Sequence, residues 1–320
     1  MSFQIVSKRV AAGVFAAFTI FVASAAAQPT VIVPTARTLR VAERNNIYCA
    51  GYVQSSAIDT SRKIVGGVEE QEQFLYSQNN VVYINAGSNS GVKVGDLLSV
   101  VRPRGPVKTR WSRKGDLGAY VQEVGTVEVT RVKGEVSVAQ VKNSCDNILL
   151  GDLVLPMQVR VAPDYSQRPA MDLFSDPNGK AIGRLFMARD NAEVLTRDYV
   201  VYIDLGAEDN IQVGDYLTIF RPLGSGNPSF GDWGESANAR DGGFQSFEYH
   251  GGGFSSQAGR KTGDNARGRV VTSEKAKEGR PAIRKVVGEM VVLNVKERAA
   301  TAMITRTAQE IHTGDWVEVQ

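Results

Sequence analysis

Beyond its N-terminal segment the chain alternates apolar and polar residues with a period of two. Val127 and Val129 alternate with Glu128 and Thr130, Val136 and Val138 flank Ser137, and Val317 and Val319 alternate with Trp316 and Glu318. Successive side chains of a strand point to opposite faces, so the pattern predicts short, half-buried strands. The runs are rich in β-branched residues and bounded by Gly, Asp and Asn, and no helical period competes with them. Short strands with turn signals at close spacing predict an all-β fold of small barrels or sandwiches.

The pattern also recurs. Val81-Val-Tyr-Ile-Asn-Ala-Gly87 matches Val200-Val-Tyr-Ile-Asp-Leu-Gly206, Val94-Gly95-Asp96 matches Val213-Gly214-Asp215, and Arg102-Pro103 matches Arg221-Pro222, all 119 residues apart. A second block, Val124-Gly125 to Gly151-Asp152, matches Val287-Gly288 to Gly314-Asp315 at a separation of 163 residues. Ungapped agreement in the same order predicts an internal duplication: two tandem small β-barrel-like domains of about six strands each. The separations differ by 44 residues, so the second copy carries an insertion. Of the chain's 32 glycines, 13 fall between Gly224 and Lys285, among serines and asparagines. Such a segment buries too little apolar surface to offset its ordering entropy, and 224–285 is expected to be a long disordered loop.

The N-terminus has Lys8 and Arg9, an apolar run from Val10 to about Val22, and small residues up to Ala27. This layout predicts a secretory signal peptide cleaved after Ala27, too short in its apolar core to be a membrane anchor. The expected organisation is a signal peptide at 1–27, an N-terminal arm at 28–58, a first barrel at 59–157, a linker at 158–177 and a second barrel at 178–320. Cleavage would reduce the net charge from +3 to +1, because two basic and no acidic residues leave with the signal. A nearly neutral chain argues against nucleic acid as a partner.

Export would place Cys49 and Cys145 in an oxidising compartment, where a lone pair of cysteines is most simply a disulfide. Neither belongs to a Cys-x-x-Cys motif, which argues against a redox or metal-binding role. The bridge would fasten the arm, about residues 38–58, to the first barrel, and the second barrel would have no such arm.

Each copy has two Gly-Asp pairs at equivalent places: Gly95-Asp96 and Gly151-Asp152, then Gly214-Asp215 and Gly314-Asp315. Glycine supplies a positive φ, and the aspartate can accept a backbone N–H two residues on, so these are expected to be structural turns. The sharper alternative makes the aspartates catalytic carboxylates or calcium ligands, against which stands the absence of Asp-x-Asp clustering.

Nucleophile elbows, phosphate loops, dinucleotide-binding glycines and zinc-protease helices do not occur, and no cofactor or metal is implied. His312, at a turn, is expected at the surface. Two loops stand out, each joining the two blocks of a copy. In the first, Arg102, Arg104, Lys108, Arg110, Arg113 and Lys114 surround Trp111, a pattern that could grip a polyanion or simply form a solvated hairpin tip. In the second, Phe230, Trp233, Phe244, Phe247, Tyr249 and Phe254 are followed by a basic half that ends in Arg284 and Lys285. Aromatics in a flexible chain can fold onto a partner.

The motif Tyr-Ile-x-x-Gly, Val-Gly-Asp, Arg-Pro and a closing Ile-x-x-Gly-Asp-x-Val resembles the small C-terminal β domain of the flagellar T-ring assembly protein. It is also similar to the C-terminal region of secreted bacterial proteins that carry LysM modules, and to exported proteins of Gram-negative bacteria with this duplicated unit. The resemblance implies exported β architecture and association with the cell envelope, and carries over no catalytic residue. The expected function is therefore that of a periplasmic or secreted, non-enzymatic envelope binding or scaffold protein, whose partner is an envelope protein or a cell-wall glycan. The alternatives are a peptidoglycan- or polysaccharide-binding accessory protein and an envelope hydrolase that uses the aspartates.

Overall fold

The alternating segments fold into two strand sets of the same order. The computed structural model describes residues 40–42, 47–68, 74–222 and 283–320. The signal segment with its cleavage site, part of the arm and nearly all of the 224–285 insertion lie outside the described residues.

The chain is all-β. Its strands are β1 (Tyr52–Gln54), β2 (Ile64–Gly67), β3 (Leu75–Tyr76), β4 (Val81–Ile84), β5 (Leu97–Pro106), β6 (Ala119–Val132), β7 (Ser137–Ser144), β8 (Ile148–Leu149) and β9 (Leu153–Pro156). There follow β10 (Ile182–Ala188), β11 (Val194–Leu195), β12 (Val200–Ile203), β13 (Tyr216–Pro222), β14 (Arg284–Val295), β15 (Ala300–Thr307), β16 (Ile311–His312) and β17 (Trp316–Val319). The first set runs β2-β4-β7-β6-β5-β9, with β1 added on β6, and the second runs β10-β12-β15-β14-β13-β17. Position by position the two orders correspond, as do the side ribbons β3–β8 and β11–β16.

The two sets differ in closure. The second is a closed barrel, sealed where β10 pairs with β17 from Ile182↔Glu318 to Arg184↔Trp316. The first is a seven-stranded sheet whose ends meet at one isolated bridge, Lys63↔Leu153, supported by Val154 N donating to Arg62 O at 2.9 Å.

Each set encloses its own core, built from the inward residues of the alternating strands. Val82, Val100, Val127 and Val141 fill the first, and Leu185, Val201, Ile219, Val292 and Ile304 fill the second. Each such side chain, fully removed from water, contributes about 1.5–3 kcal/mol.

The arm departs from expectation. Its disulfide to Cys145 and the pairing of β1 with β6 do fasten it to the first sheet. Yet Ala42, Ile47 and Ala50 pack with Val200, Val291, Leu293 and Met303 on the outside of the second barrel. Tyr202 donates its hydroxyl to Ala50 O at 2.6 Å, and Thr301 Oγ1 donates to Gly51 O at 3.0 Å. The described part of the arm therefore lies between the strand sets and binds both. Its effect is visible in two strands of identical sequence: Val-Val-Tyr-Ile alternates between buried and half-buried in β4 but is buried at every position in β12. A strand covered on both faces carries no alternation to read.

The 158–177 segment contains no strand and runs along the second barrel. Arg306 Nη1 donates to Pro169 O at 2.6 Å, Arg284 donates to Ser175 O and Asp176 O at 2.8 Å each, and Val286 N donates to Leu173 O at 2.8 Å. Arg284 and Lys285 are not part of the insertion's basic half. They open β14, and Arg284 is buried against Glu318 at 2.5 Å.

Candidate functional site

The four Gly-Asp pairs form the same turn four times. Gly95, Gly151, Gly214 and Gly314 have φ of 89°, 90°, 96° and 95°, a region that L side chains enter only with strain. Each aspartate accepts a backbone N–H from three residues earlier: Lys93, Leu149, Gln212 and His312, at 2.8, 2.7, 2.8 and 2.8 Å. The expected acceptor geometry, two residues forward, is thus reversed, because the glycine folds the chain back so that the earlier N–H faces the carboxylate.

The second aspartate of each set has a further partner, the arginine of the Arg-Pro motif. Arg102 Nε and Nη2 donate to the two carboxylate oxygens of Asp152 at 2.8 Å each, and Nη2 also reaches Asn147 O at 2.7 Å. Arg221 repeats the arrangement on Asp315 at 2.6 and 2.8 Å, with Glu310 O at 2.8 Å. Two parallel bonds between fork and carboxylate fix both groups. Arg102 is therefore a structural residue rather than a member of an anion-gripping loop.

The rest of that basic loop joins β5 to β6 and docks on the second barrel. Trp111 is half-buried in a cluster with Val53, Leu117, Phe186, Tyr202 and Ala299. Its indole covers Gly314, where a Cβ would stand 2.8 Å from the ring, whereas a Cβ at the corresponding Gly151 would meet nothing within 4 Å. The Arg184 guanidinium lies 5.5 Å from the Trp111 ring centre and 4.0 Å from that of Trp316. Lys114 Nζ pairs with Glu208 and Asp209 at 2.6 and 2.5 Å, and Arg298 donates to Lys114 O at 2.5 Å. Neither the polyanion grip nor the solvated tip describes this loop as a whole. Only Arg104, Lys108, Arg110 and Arg113 remain exposed, with Arg104 bonded to Gln122 Oε1 at 2.7 Å and Arg110 over the Trp111 ring. Truncating a fully buried Trp costs about 3–5 kcal/mol, so half-buried Trp111→Ala is expected to cost about 2 kcal/mol. Urea denaturation should show this loss, and an unchanged midpoint would mean that the loop is not docked in solution.

His312, expected at the surface, is 2% exposed, and neither ring nitrogen has a hydrogen-bond partner. Its ring lies against the second barrel, where burial first and the Arg221 charge second hold its pKa below the ordinary value of 6.5, partly opposed by Asp315 and Glu310. In the unfolded chain the same imidazole takes up a proton near pH 6.5. The unfolded state thus binds more protons below that pH, and stability present above it is lost as pH falls through 6.5 toward the depressed folded value. The equivalent position in the first sheet is Leu149. His312→Leu should remove this acid sensitivity, so the stability of the variant relative to the native chain should rise from pH 7.5 to pH 5. Parallel pH profiles would disprove the assignment.

A cluster of ionisable groups that no motif announced lies where the arm, the first sheet and the second barrel meet. It surrounds a cavity of about 290 Å³ lined by Tyr52, Glu123, Met157, Arg160, Asn294 and Lys296 among others. Glu123, 3% exposed, accepts from Gly51 N at 3.0 Å and pairs with Arg160. Burial raises the Glu123 pKa against the pull of Arg160, and burial followed by the Glu123 charge pushes the Tyr52 hydroxyl up to about 12. Lys296 is shifted down, by burial first and Arg160 second, and its Nζ stands 4.4 Å from the Tyr52 ring centre. Shifted groups gathered in a cleft mark a candidate site. The signal for it in the sequence was weak: Arg160 lies in the linker, Lys296 in a β-turn region and Glu123 at one of many polar strand positions.

A second groove, of about 580 Å³, lies on the first sheet, lined by Tyr48, Gln78, Thr126, Glu128, Lys142 and Asn143. Its Lys142 and Glu128 are paired at 2.7 Å. Among the described residues no three His, Cys, Asp or Glu side chains converge as metal ligands, and no helix is long and apolar enough to cross a membrane. The aromatic candidates Phe230, Trp233, Phe244, Tyr249 and Phe254 lie outside the described residues.

No curated protein matches the chain. Residues 79–156, which carry the first sheet from β4 to the end of β9, match the family described as flagellar assembly protein T, C-terminal domain.

Proposed function

We propose that the protein is an exported, non-enzymatic scaffold of the cell envelope, related in role to the assembly of the flagellum. The match of residues 79–156 to the C-terminal domain of flagellar assembly protein T carries this reading. It is supported by the use of the conspicuous charges. The Gly-Asp aspartates, Arg102 and Arg221 hold turns and strand ends together, and the arm, linker and Trp111 loop join the strand sets. Such a body presents fixed surfaces to partners rather than a reacting centre.

The test is deletion of the gene in the source organism, with restoration by the native chain. Loss of motility together with loss of ring components from isolated basal bodies is the expected result. Normal motility and complete basal bodies would refute the flagellar reading. A second reading, a cell-wall glycan-binding accessory protein, is favoured by the polar groove beside Tyr48 with its amide side chains Gln78 and Asn143. Retention of the purified mature chain on protein-free sacculi, lost on Asn143→Ala, would support that reading instead.

A further inference from the structure

We propose that the cavity at the junction of arm, first sheet and second barrel binds a small organic monocarboxylate, with Lys296 and Arg160 as its cationic pair. The charges at the site do not balance. Two cations, Arg160 and Lys296, face one carboxylate, Glu123. Both Glu123 oxygens are engaged, Oε2 by Gly51 N–H and Oε1 by Arg160. Lys296 Nζ has no hydrogen bond or ion pair among the described residues and rests over the Tyr52 ring. Arg160 Nε and Nη1 have no partners but are sealed from solvent, so Arg160 acts at the cavity through its charge. A half-buried ammonium whose nearby carboxylate, Glu123, is already bonded elsewhere is costly, and its pKa is lowered by burial and Arg160 against the pull of Glu123.

One surplus positive charge selects a monoanion. A phosphate dianion would overcompensate the surplus and add its second charge beside Glu123, whereas a carboxylate neutralises the site with charge-assisted bonds. The Tyr52 hydroxyl stays neutral and can donate, since its pKa is about 12. Met157, Leu155 and Val101 supply an apolar wall for the body of the ligand. The cavity lies at the lower end of small-molecule sites, which start at about 300 Å³, and so suits a ligand no larger than an acylated amino acid or a sugar acid.

Calorimetric titration of the mature full chain with N-acetyl-D-alanine, D-glucuronate and the neutral N-acetyl-D-alaninamide tests the inference. At least one acid should saturate the protein, and if only one does, its identity says whether the carboxylate belongs to an amino acid or a sugar. The amide should bind at least about tenfold more weakly than its acid, and Lys296→Gln should weaken acid binding by a similar factor. Lys296→Arg, which keeps the charge, should retain most of it. Failure of both acids to saturate, equal binding of acid and amide, or an unchanged affinity in folded Lys296→Gln would overturn the proposal. Should Lys296→Gln not fold, the acid-against-amide comparison on the native chain decides. A negative result would leave the flagellar reading untouched, since that reading does not depend on the cavity.

Discussion

Arg221→Met is expected to destabilise the chain by about 3–5 kcal/mol, the range for breaking one partner of a buried ion pair. Asp315 is wholly buried and holds both Arg221 bonds together with the backbone N–H of His312. Removing the guanidinium leaves the carboxylate with the turn N–H alone, and strips Glu310 O of its donor at the same stroke. The cost arises from the stranded charge rather than from the net worth of the pair. The double change Arg221→Met with Asp315→Leu should therefore recover part of the loss, although the His312 N–H then goes unpaired. Arg102→Met in the first sheet provides the internal comparison. Its side chain and that of Asp152 are 15% and 4% exposed, against 10% and 0% for Arg221 and Asp315, so the loss should be smaller. Urea denaturation of the four proteins measures all three differences. A loss below about 1 kcal/mol for Arg221→Met would mean that water reaches Asp315 and that the pair behaves as a surface bridge.

The period-two runs and the paired Gly-Asp motifs made the all-β architecture legible, because side-chain alternation and positive φ are local properties. The constant separations between matching blocks likewise agree with two strand sets of one order. What could not be read was anything set by a surface meeting another surface. Val200-Val-Tyr-Ile203 has the sequence of Val81-Val-Tyr-Ile84, yet the arm covers its outer face. Trp111 and its basic neighbours have the composition of an exposed anion-binding loop, and only the proximity of Gly314, Glu208 and Asp209 makes them a clasp. Arg102 and Arg221 recur with their prolines, but the carboxylates they grip lie 50 and 94 residues further on. The candidate cavity shows the same limitation most strongly. Its four ionisable groups come from the arm, β6, the linker and the turn after β14, and none belongs to a motif.

Loss of the Cys49–Cys145 bridge should have the second large effect. The sulfurs join positions 96 residues apart with a Cα–Cα distance of 5.6 Å, and for a loop near 100 residues the chain-entropy treatment gives about 4.7 kcal/mol. Position matters as much as loop length. Cys145 follows β7 of the first sheet, while Cys49 stands beside Ile47 and Ala50, which pack on the second barrel. The bridge therefore ties the first sheet to the segment that the second barrel holds. It also anchors the chain two residues from Gly51, whose N–H supports Glu123 at the cavity. Cys49→Ser with Cys145→Ser is expected to lower stability by about 2–5 kcal/mol. The loss should fall chiefly on the arm and the junction, because the enclosed cores of the two strand sets contain neither cysteine. Hydrogen exchange can locate it. Amides of Tyr52, Val53 and Leu293 should lose protection before those of Val127 and Ile219, and uniform loss across both cores would instead mean that the bridge acts only on the unfolded chain. Measured on the oxidised and reduced native protein, the same pattern separates the effect of the bond from that of the substituted side chains.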